Sequence, residues 1–263
     1  MTGPENPQPD RSQFTVRLAE TEEEVLASQR LRYRVFVEEM GAHVDAASAR
    51  AGVEQDAFDP FFDHLILIDE LAGGPDRIVG TYRLLRGDVA QDGPGFYSSD
   101  EFDLSAIIRS GRSVVELGRS CIDRRYRGNV AMLHLWNGIA DYVLSRNIEI
   151  MFGVASFPGT DPAPFVEAVS YLHHFHLAPE DIRVRVRVDR AARLDLLPPE
   201  SLDLEDARSR LPPLIMGYIR LGGFVGAGAC VDEVFNTLDV CVILDTERMS
   251  EKRKAYFVRG YER

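Results

Sequence analysis

The 263-residue sequence has only three cysteines, no long apolar run and no excess of basic residues. The cysteines, Cys121, Cys230 and Cys241, are odd in number and unclustered, which argues against a disulfide framework and against a zinc site. No stretch approaches the roughly 18 consecutive apolar residues of a membrane-spanning helix. Residues 1–13 are polar and proline-rich, so they predict a disordered leader and no secretory signal. A reduced, cytoplasmic protein is the simplest interpretation.

Acidic residues outnumber basic ones by 42 to 30, which gives a net charge of −12. A field of this sign repels nucleic acid and anionic membranes, so no nucleic-acid partner is expected. An anionic partner must therefore be held by a local basic patch. The candidates are a first patch of Arg124, Arg125 and Arg127 and a tail patch of Lys252, Arg253, Lys254 and Arg259. For the tail patch, a solvated charged face is the simpler interpretation.

The hydrophobic pattern predicts strands and helices in mixed order. Strands are predicted at 14–20, 64–70, 78–86, 114–122, 148–157, 181–189 and 237–244. Helices are predicted at 22–40, about 100–110, 129–146 and 162–177. The glycine- and proline-rich turn between the second and third strands indicates an antiparallel hairpin, and the third helix indicates a parallel crossover. The sequence therefore predicts an α+β (mixed α/β) fold, with a central mixed sheet and flanking helices.

One acid, Glu116, interrupts the apolar run VVELGRSCI (114–122), which leads into the loop RRYRGN and then a helix. A strand, a loop and a helix in this order place backbone N–H groups and the positive end of a helix dipole beside the arginines. This arrangement predicts an anion-binding site. The loop has neither the GxxxxGK[ST] nor the GxGxxG pattern, so ATP and NAD are not expected. The glycine-rich segment 222–229 is interpreted as a turn.

The segment Arg125–Val130, RYRGNV, resembles the pyrophosphate-binding R-x-x-G loop of the GNAT N-acyltransferase superfamily. The usual glycine or alanine at its last position is Val130 here, a bulkier residue that narrows the loop and disfavours acetyl-CoA as donor. Further landmarks resemble the acyl-homoserine-lactone synthases and their relatives, which take acyl groups from acyl carrier protein. These landmarks are LRYRVFVEEMG (31–41), Asp56, Asp59, Arg83, Glu116 and Arg119.

Within this group the sequence is most similar to the bacterial ornithine N-acyltransferases, whose second half resembles 171–186, 211–222 and 235–244. The resemblance implies one GNAT-like domain over 14–245, with an insertion around 178–210 and a basic tail at 246–263. It implies transfer of a 3-hydroxyacyl chain from acyl carrier protein to the α-amine of L-ornithine, giving lyso-ornithine lipid, with no bound cofactor and no metal.

Other functions stay open at this point. One alternative is an acyl-homoserine-lactone synthase or another amino-acid N-acyltransferase of the same fold. A second is a non-enzymatic protein that binds an acyl carrier or a lipid. Peripheral contact with the inner membrane also stays open, because the implied product is amphipathic.

An amine that attacks a thioester needs a base for its proton and donors for the developing oxyanion. Glu116 is the predicted base, because desolvation in an apolar strand raises the pKa of a carboxyl group; the alternative is that it only pairs with an arginine. Backbone N–H groups of Leu117 and Gly118 are the predicted oxyanion donors, if a β-bulge splays the strand there. The phosphate of the donor's phosphopantetheine is predicted to bind Arg124, Arg125, Arg127, Gly128 and Asn129.

Ornithine brings a carboxylate, an α-amine with a pKa of about 8 and a side-chain amine with a pKa of about 10.4. Arg83 or Arg119 is predicted to bind the carboxylate, and Asp56 or Asp59 to pair with the side-chain ammonium. Cys121 could carry an acyl group, but a buried inert thiol is favoured because no basic partner is identifiable. The group His173, His174 and His176 is interpreted as packing or surface hydrogen bonding in preference to a metal site.

Overall fold

The computed structural model describes residues 13–194 and 196–254. The described strands are β1 (Phe14–Leu18), β2 (Asp63–Asp69), β3 (Ile78–Arg86), β4 (Phe102–Asp103), β5 (Val114–Ile122), β6 (Ile150–Pro158), β7 (Arg185–Val186), β8 (Phe224–Val225), β9 (Cys230–Asp232) and β10 (Thr237–Asp245). The main sheet has eight strands in the order β1-β2-β3-β5-β6-β10-β8, and β9 pairs with β10. Strands β4 and β7 form a separate two-stranded sheet.

The described helices lie on both faces of the main sheet. They are α1 (Glu22–Arg32), α2 (Ala46–Ala51), α3 (Gly87–Asp92), α4 (Ser105–Arg109), α5 (Asn129–Ser145), α6 (Val166–His176), α7 (Leu204–Ser209) and α8 (Pro213–Arg220). Along β2, Leu65 and Leu67 belong to the core under α5, whereas Ile66 and Ile68 belong to the core under α1. This alternation of apolar side chains on a strand buried on both faces fixes the layers. None of these helices combines the length and the apolar content that a membrane crossing requires.

The pairing of the strands confirms the predicted mixed sheet. Strands β2 and β3 form the predicted antiparallel hairpin, and α5 links β5 to a parallel β6 as the predicted crossover. Strands β5 and β6 pair only from Val114–Ile150 to Glu116–Phe152 and then part. A Cβ atom at Gly153 would lie 2.1 Å from the carbonyl oxygen of Leu117, so only glycine fits where they part. The separation of these two strands opens the sheet at its centre.

Three predicted elements differ from the structure. The helix predicted at 22–40 is α1 followed by a π-helix, Tyr33–Glu39, with Met40 as its C-cap; Gly41, with a φ of +80°, follows it. The helix predicted near 100–110 is shortened to α4, because Phe102–Asp103 pairs with β7. The strand predicted at 181–189 is wrong except for Arg185–Val186, which pairs with β4. Residues 181–182 form a turn before this pairing, and residues 187–189 are exposed to solvent after it. The predicted leader lies outside the described residues apart from its last residue, and so does Arg259 of the tail.

Candidate active site

A cavity of about 1470 Å³ lies where β5 and β6 part. Its wall includes Glu116, Leu117 and Gly118 from β5 and Val154 to Ser156 from β6. An apolar wall is formed by side chains of α5 and α8, among them Met132, Leu133, Trp136 and Leu214. A pocket with an apolar wall and a few converging polar groups suits a ligand that has a long hydrocarbon part and a polar reactive end.

Glu116 is 2% exposed in the central strand β5. Its carboxylate accepts hydrogen bonds from the backbone N–H groups of Tyr97 (2.8 Å) and Ser98 (2.7 Å) and from the Ser98 hydroxyl (2.5 Å). Burial raises the pKa of Glu116, although these hydrogen bonds act in the opposite direction. The contacts fix the side chain, and because a carboxylate has about four acceptor positions, one remains for a ligand.

The predicted bulge in β5 is present, just beyond Gly118. Thr81 of β3 pairs with Cys121 and Arg83 pairs with Gly118, so β5 carries one extra residue between these two pairs. Arg119, in this stretch, has a φ of +49°, a conformation that is unusual for a residue with a side chain. The bulge therefore redirects the strand at the cavity wall. The roles of Leu117 and Gly118 as oxyanion donors stay predictions.

Beside this wall lies a buried arginine network, made of three arginines and three acids: Arg32, Arg83, Arg119, Glu54, Asp56 and Asp59. Arg83 Nη1 contacts Asp56 (2.8 Å) and Asp59 (2.7 Å), and Arg32 Nη1 contacts Asp59 (2.6 Å). Burial alone would raise the pKa of Asp59, but the hydrogen bonds and charges of the two arginines hold it well below its usual range. The network thus brings together all four residues predicted to bind the acceptor.

Within the arginine network only Arg83 and Arg119 reach the cavity. Arg83 and Arg119 line it, whereas Asp56 and Asp59 do not and are engaged by arginines. Arg119 donates to Glu54, Asp56 and the Tyr97 hydroxyl. Arg83 is fully buried, and its Nε and Nη2 atoms have no hydrogen-bond partner in the described residues. Of the two arginines predicted to bind a carboxylate, Arg83 is the one with buried donors that lack a partner in the described residues.

The predicted phosphate-binding loop is only partly at the cavity. Arg127 and Gly128 line it, whereas Arg124 and Arg125 are exposed and are not part of its wall. Arg125 forms a bidentate pair with Asp123, and Asn129 begins α5. Three further cations line the cavity, namely Arg220, Lys252 and Arg253. Lys252 and Arg253 belong to the tail patch, for which the sequence favours a solvated charged face. In the structure this part of the tail folds back, and Arg253 lies against Gly222. Sequence spacing gives no indication of this fold.

A second group of charged residues at the cavity consists of acids alone. This acidic triad consists of Glu101, Asp232 and Asp239, all buried, with one carboxylate oxygen of each lying within 4.8 Å of the others. Sequence reasoning gave these residues no role. Asp239 had a signal, since it interrupts the apolar run TLDVCVIL as Glu116 interrupts its own strand. The sequence gives no comparable signal for Glu101 and Asp232, because they lie next to turns, where acidic residues are common.

The cysteines and histidines do not add a reactive group to this site. All three cysteines are free and buried, and burial raises the pKa of the Cys121 thiol to about 12, so it stays protonated. His174 Nε2 contacts the carbonyl oxygen of Leu197, and His176 Nε2 contacts the Tyr171 hydroxyl. These contacts agree with the interpretation of the histidines as surface and packing residues.

Comparison with known proteins gives four curated relatives that share one name, and two of them illustrate the similarity. The chain is 49% identical over 251 residues to the L-ornithine N(alpha)-acyltransferase of Rhodobacter capsulatus, covering 95% of this chain and 96% of the relative. It is 41% identical over 246 residues to the L-ornithine N(alpha)-acyltransferase of Brucella abortus, covering 92% of this chain and 88% of the relative.

The fold is also found in more distant proteins. The family model of the acetyltransferase (GNAT) domain matches residues 31–137, which include the β5 strand and the arginine loop. A solved CoA-dependent acyl-homoserine lactone synthase, BjaI, is similar with a TM-score of 0.52 and 14% identity, covering 94% of this chain and 88% of the other. This likeness confirms the predicted GNAT fold.

Proposed function

The chain belongs to the family of L-ornithine N(alpha)-acyltransferases, and from this we propose that it transfers an acyl group from a thioester donor to the α-amine of L-ornithine. The identity of 49% over nearly the full length of both chains carries this proposal. The cavity supports it, because one site offers an apolar wall for an acyl chain, a fixed carboxylate and a buried arginine. The product expected from a 3-hydroxyacyl donor is lyso-ornithine lipid.

In the reaction, the α-ammonium of ornithine loses a proton to a base, and the free amine attacks the thioester carbonyl. The new C–N bond forms, the C–S bond breaks, and the leaving thiolate takes up a proton. Glu116 is the proposed base, since it is fixed by three hydrogen bonds beside the opening between β5 and β6. Leu117 and Gly118 lie next to it on the wall, as oxyanion donors would have to.

The acceptor's carboxylate is proposed to bind Arg83. Arg83 lines the cavity, and its Nε and Nη2 atoms are buried with no partner among the described residues; an unused guanidinium edge suits a carboxylate in a bidentate geometry. Asp56 and Asp59 hold this arginine from the other side and keep it charged and oriented. The two aspartates are thus proposed to position Arg83, in place of the direct ammonium contact predicted from the sequence.

The donor is proposed to be an acylated acyl carrier protein. Besides Arg83 and Arg119, four cations line the cavity in a chain with a net charge of −12, namely Arg127, Arg220, Lys252 and Arg253. A local basic rim of this kind suits the phosphate of a phosphopantetheine arm and an acidic carrier. Coenzyme A carries the same arm, so it is the competing donor that an experiment must include. An acyl-homoserine-lactone synthase activity is the second candidate function, suggested by the shared fold alone.

The test is to incubate the purified protein with 3-hydroxyacyl carrier protein or 3-hydroxyacyl-CoA and with single amino acids, and to identify products by mass spectrometry. We expect acylation of ornithine with the carrier-bound donor, and a fall in kcat of about 10²–10⁴ for Glu116→Gln. The control Glu233→Gln makes the same change at an exposed position outside the cavity and should leave kcat unchanged.

Three outcomes would contradict parts of this proposal. Acylation of another amine but not of ornithine would reject the acceptor. Equal use of 3-hydroxyacyl-CoA would reject the preference for the carrier protein. Wild-type turnover by a folded Glu116→Gln variant would remove Glu116 from the role of base.

A further inference from the structure

The acidic triad lies at the cavity wall on two separate parts of the fold. Asp232 and Asp239 come from the paired strands β9 and β10, where they sit on diagonal positions of one face. Glu101 precedes β4, and its carbonyl oxygen accepts a hydrogen bond from Arg187 N–H (2.8 Å). The three side chains are 3–7% exposed. Two independent backbone segments thus bring three carboxyl groups to one point of the cavity.

No ion pair joins the triad to a cation of the described residues, although the charge of Arg190 acts on Glu101 and that of Arg119 on Asp239. Glu101 Oε2 and Asp239 Oδ1 are buried and have no hydrogen-bond partner in the described residues. Asp232 Oδ1 accepts from the backbone N–H groups of Val234 and Phe235, which are neutral donors. Buried carboxylates without a cation are costly, because each has lost its hydration and repels the others. This cost is relieved when the triad takes up a proton or binds a positively charged ligand.

The spacing of the triad fits a primary ammonium group. Three oxygens that all lie within 4.8 Å of one another are close enough to contact one cationic group placed among them. An ammonium group has three N–H donors and no acceptor, so it matches three carboxylate oxygens one to one. A divalent metal ion calls for more oxygen ligands than three.

We propose that the acidic triad binds the side-chain δ-ammonium of ornithine and thereby directs acylation to the α-amine. This inference rests on the proposed function, and it gives the triad a specificity-determining role in that reaction. Glu101 and Asp239 supply the two unpartnered oxygens, and Asp232 supplies the third. Arg83 holds the carboxylate at the same cavity, so ornithine is bound at both charged ends with the α-amine between them.

The charge of the triad explains why the δ-amine does not react. Carboxylates close to an ammonium group favour its charged form and raise its pKa further above about 10.4. A protonated amine has no free electron pair and cannot attack a thioester. The α-ammonium, with a pKa of about 8, is held away from the triad and gives up its proton more readily. One cluster would therefore select a diamino acid and protect its second amine.

The decisive comparison is between ornithine and norvaline, which has the same carbon chain but lacks the δ-amine. We expect the wild-type protein to prefer ornithine by at least about 10³ in kcat/KM, since a site built for a polar group rejects the analogue that lacks it. Glu101→Gln and Asp239→Asn should each lower kcat/KM for ornithine by about 10–100-fold. Both variants should keep the norvaline value within about threefold, which also shows that they are folded.

Glu233→Gln is the matched control, because it removes a charge from the exposed turn next to Asp232. It should leave both kcat/KM values unchanged. Fragmentation of the wild-type product should place the acyl group on the α-nitrogen. In thermal unfolding of the wild-type protein, ornithine should raise Tm, and norvaline at the same concentration should not. This last measurement needs no variant and stays informative if a substitution prevents folding.

The outcomes separate this inference from the proposed function. Failure of the wild-type protein to acylate ornithine with either donor would reject the function itself. Ornithine turnover with an ornithine-to-norvaline ratio that is unchanged in both variants would reject the triad's role, as would equal Tm shifts or a δ-acylated product. Loss of ornithine turnover in EDTA, with recovery on adding Mn²⁺ alone, would assign the triad to a metal ion and overturn the inference.

Discussion

Two buried groups of charged residues border the same cavity, and they differ in how their charge is balanced. The arginine network has three cations and three anions, and each acid in it is in an ion pair of 3.2 Å or less. The acidic triad has three acids, no ion pair with a described cation, and two oxygens that have no partner in the described residues. The charges of the network are therefore balanced in the free protein, although Arg83 keeps two unpartnered donors, whereas those of the triad are balanced only by a bound proton or a ligand.

The pKa values of Asp56 and Asp59 in the network move in the opposite direction to those of Glu101 and Asp239 in the triad. Burial alone raises the pKa of all four of these carboxyl groups. In the arginine network the guanidinium groups outweigh burial, so the pKa values of Asp56 and Asp59 are lowered. At Glu101 and Asp239 the opposing charges and hydrogen bonds do not outweigh it, and the pKa of Glu101 rises to about 8 and that of Asp239 to about 6. Balanced charge marks a scaffold, and unbalanced charge marks a binding site.

The largest effect is expected from breaking the balance of the arginine network. Replacing Arg32 by methionine removes one cation and leaves Glu54 and Asp59 buried with too few partners. We expect a loss of about 3–5 kcal/mol in the free energy of unfolding, the usual cost of removing one partner from a buried ion pair. Urea denaturation at pH 7 measures it. Arg50→Met, at an exposed arginine, should change stability by less than about 0.5 kcal/mol.

A loss for Arg32→Met no larger than that for Arg50→Met would show that the network's acids are solvated or protonated in the folded protein. The network would then not be a charge-balanced scaffold. The contrast with the triad would disappear with it.

Removing one ionisable group from the triad, by Glu101→Gln, should instead raise the free energy of unfolding, and only at high pH. Burial and then the charges of Asp239, Asp232 and Asp100 raise the pKa of Glu101 from 4.5 to about 8, against the opposing charge of Arg190. An acid whose pKa is raised in the folded state binds its proton more tightly in that state. Glu101 therefore contributes its full stabilisation of the folded protein below pH 4.5. This contribution falls as pH rises to about 8, at up to roughly 1.4 kcal/mol per pH unit.

Glu101→Gln removes this loss, because the amide does not ionise. We therefore expect the variant to gain about 1–3 kcal/mol over the wild-type protein in the free energy of unfolding between pH 5 and pH 8.5. Urea denaturation at the two pH values, without substrate, measures the gain. An unchanged difference between variant and wild type at both pH values would mean that Glu101 is ionised normally and that the triad is already compensated.

Much of the scaffold followed from the sequence, because it depends on local patterns. The β2–β3 hairpin, the α5 crossover and the cavity-wall position of Glu116 came from apolar periodicity, turn residues and one misplaced acid. The alternation in 181–189 failed as a strand because pairing depends on a partner strand, and β4 offers only two residues. Periodicity reports which side chains face inward and cannot report how long a partner strand is.

The balance of the two charged groups could not be predicted from the sequence. Asp59 and Asp239 are both aspartates next to apolar residues, and only the fold places one against arginines and the other against two acids. The contacts that decide this join residues far apart in the chain, such as Arg83 with Asp56 and Glu101 with Asp239. The family landmarks included Arg83, Arg119, Asp56 and Asp59, and the fold brings these four residues into one network. The landmarks gave the triad no role, although Asp239 lies in 235–244, one of the segments that carry the resemblance.

The smallest effect is expected at the edge of the arginine network, and its pH dependence should oppose that of Glu101→Gln. Asp56 has a side chain 20% exposed and pairs with Arg83 and Arg119. Burial raises its pKa, but these arginines lower it below the usual 3.8, so its contribution is present above that value and is lost as pH falls below it. Asp56→Asn keeps the shape and should cost about 1 kcal/mol at pH 7. In urea denaturation, this cost should shrink toward zero at pH values well below 3.8, where the wild-type carboxyl group is also neutral. A cost that stays constant with pH would assign the role of Asp56 to hydrogen bonding alone, and the two groups would then differ in hydrogen-bond satisfaction without differing in charge balance.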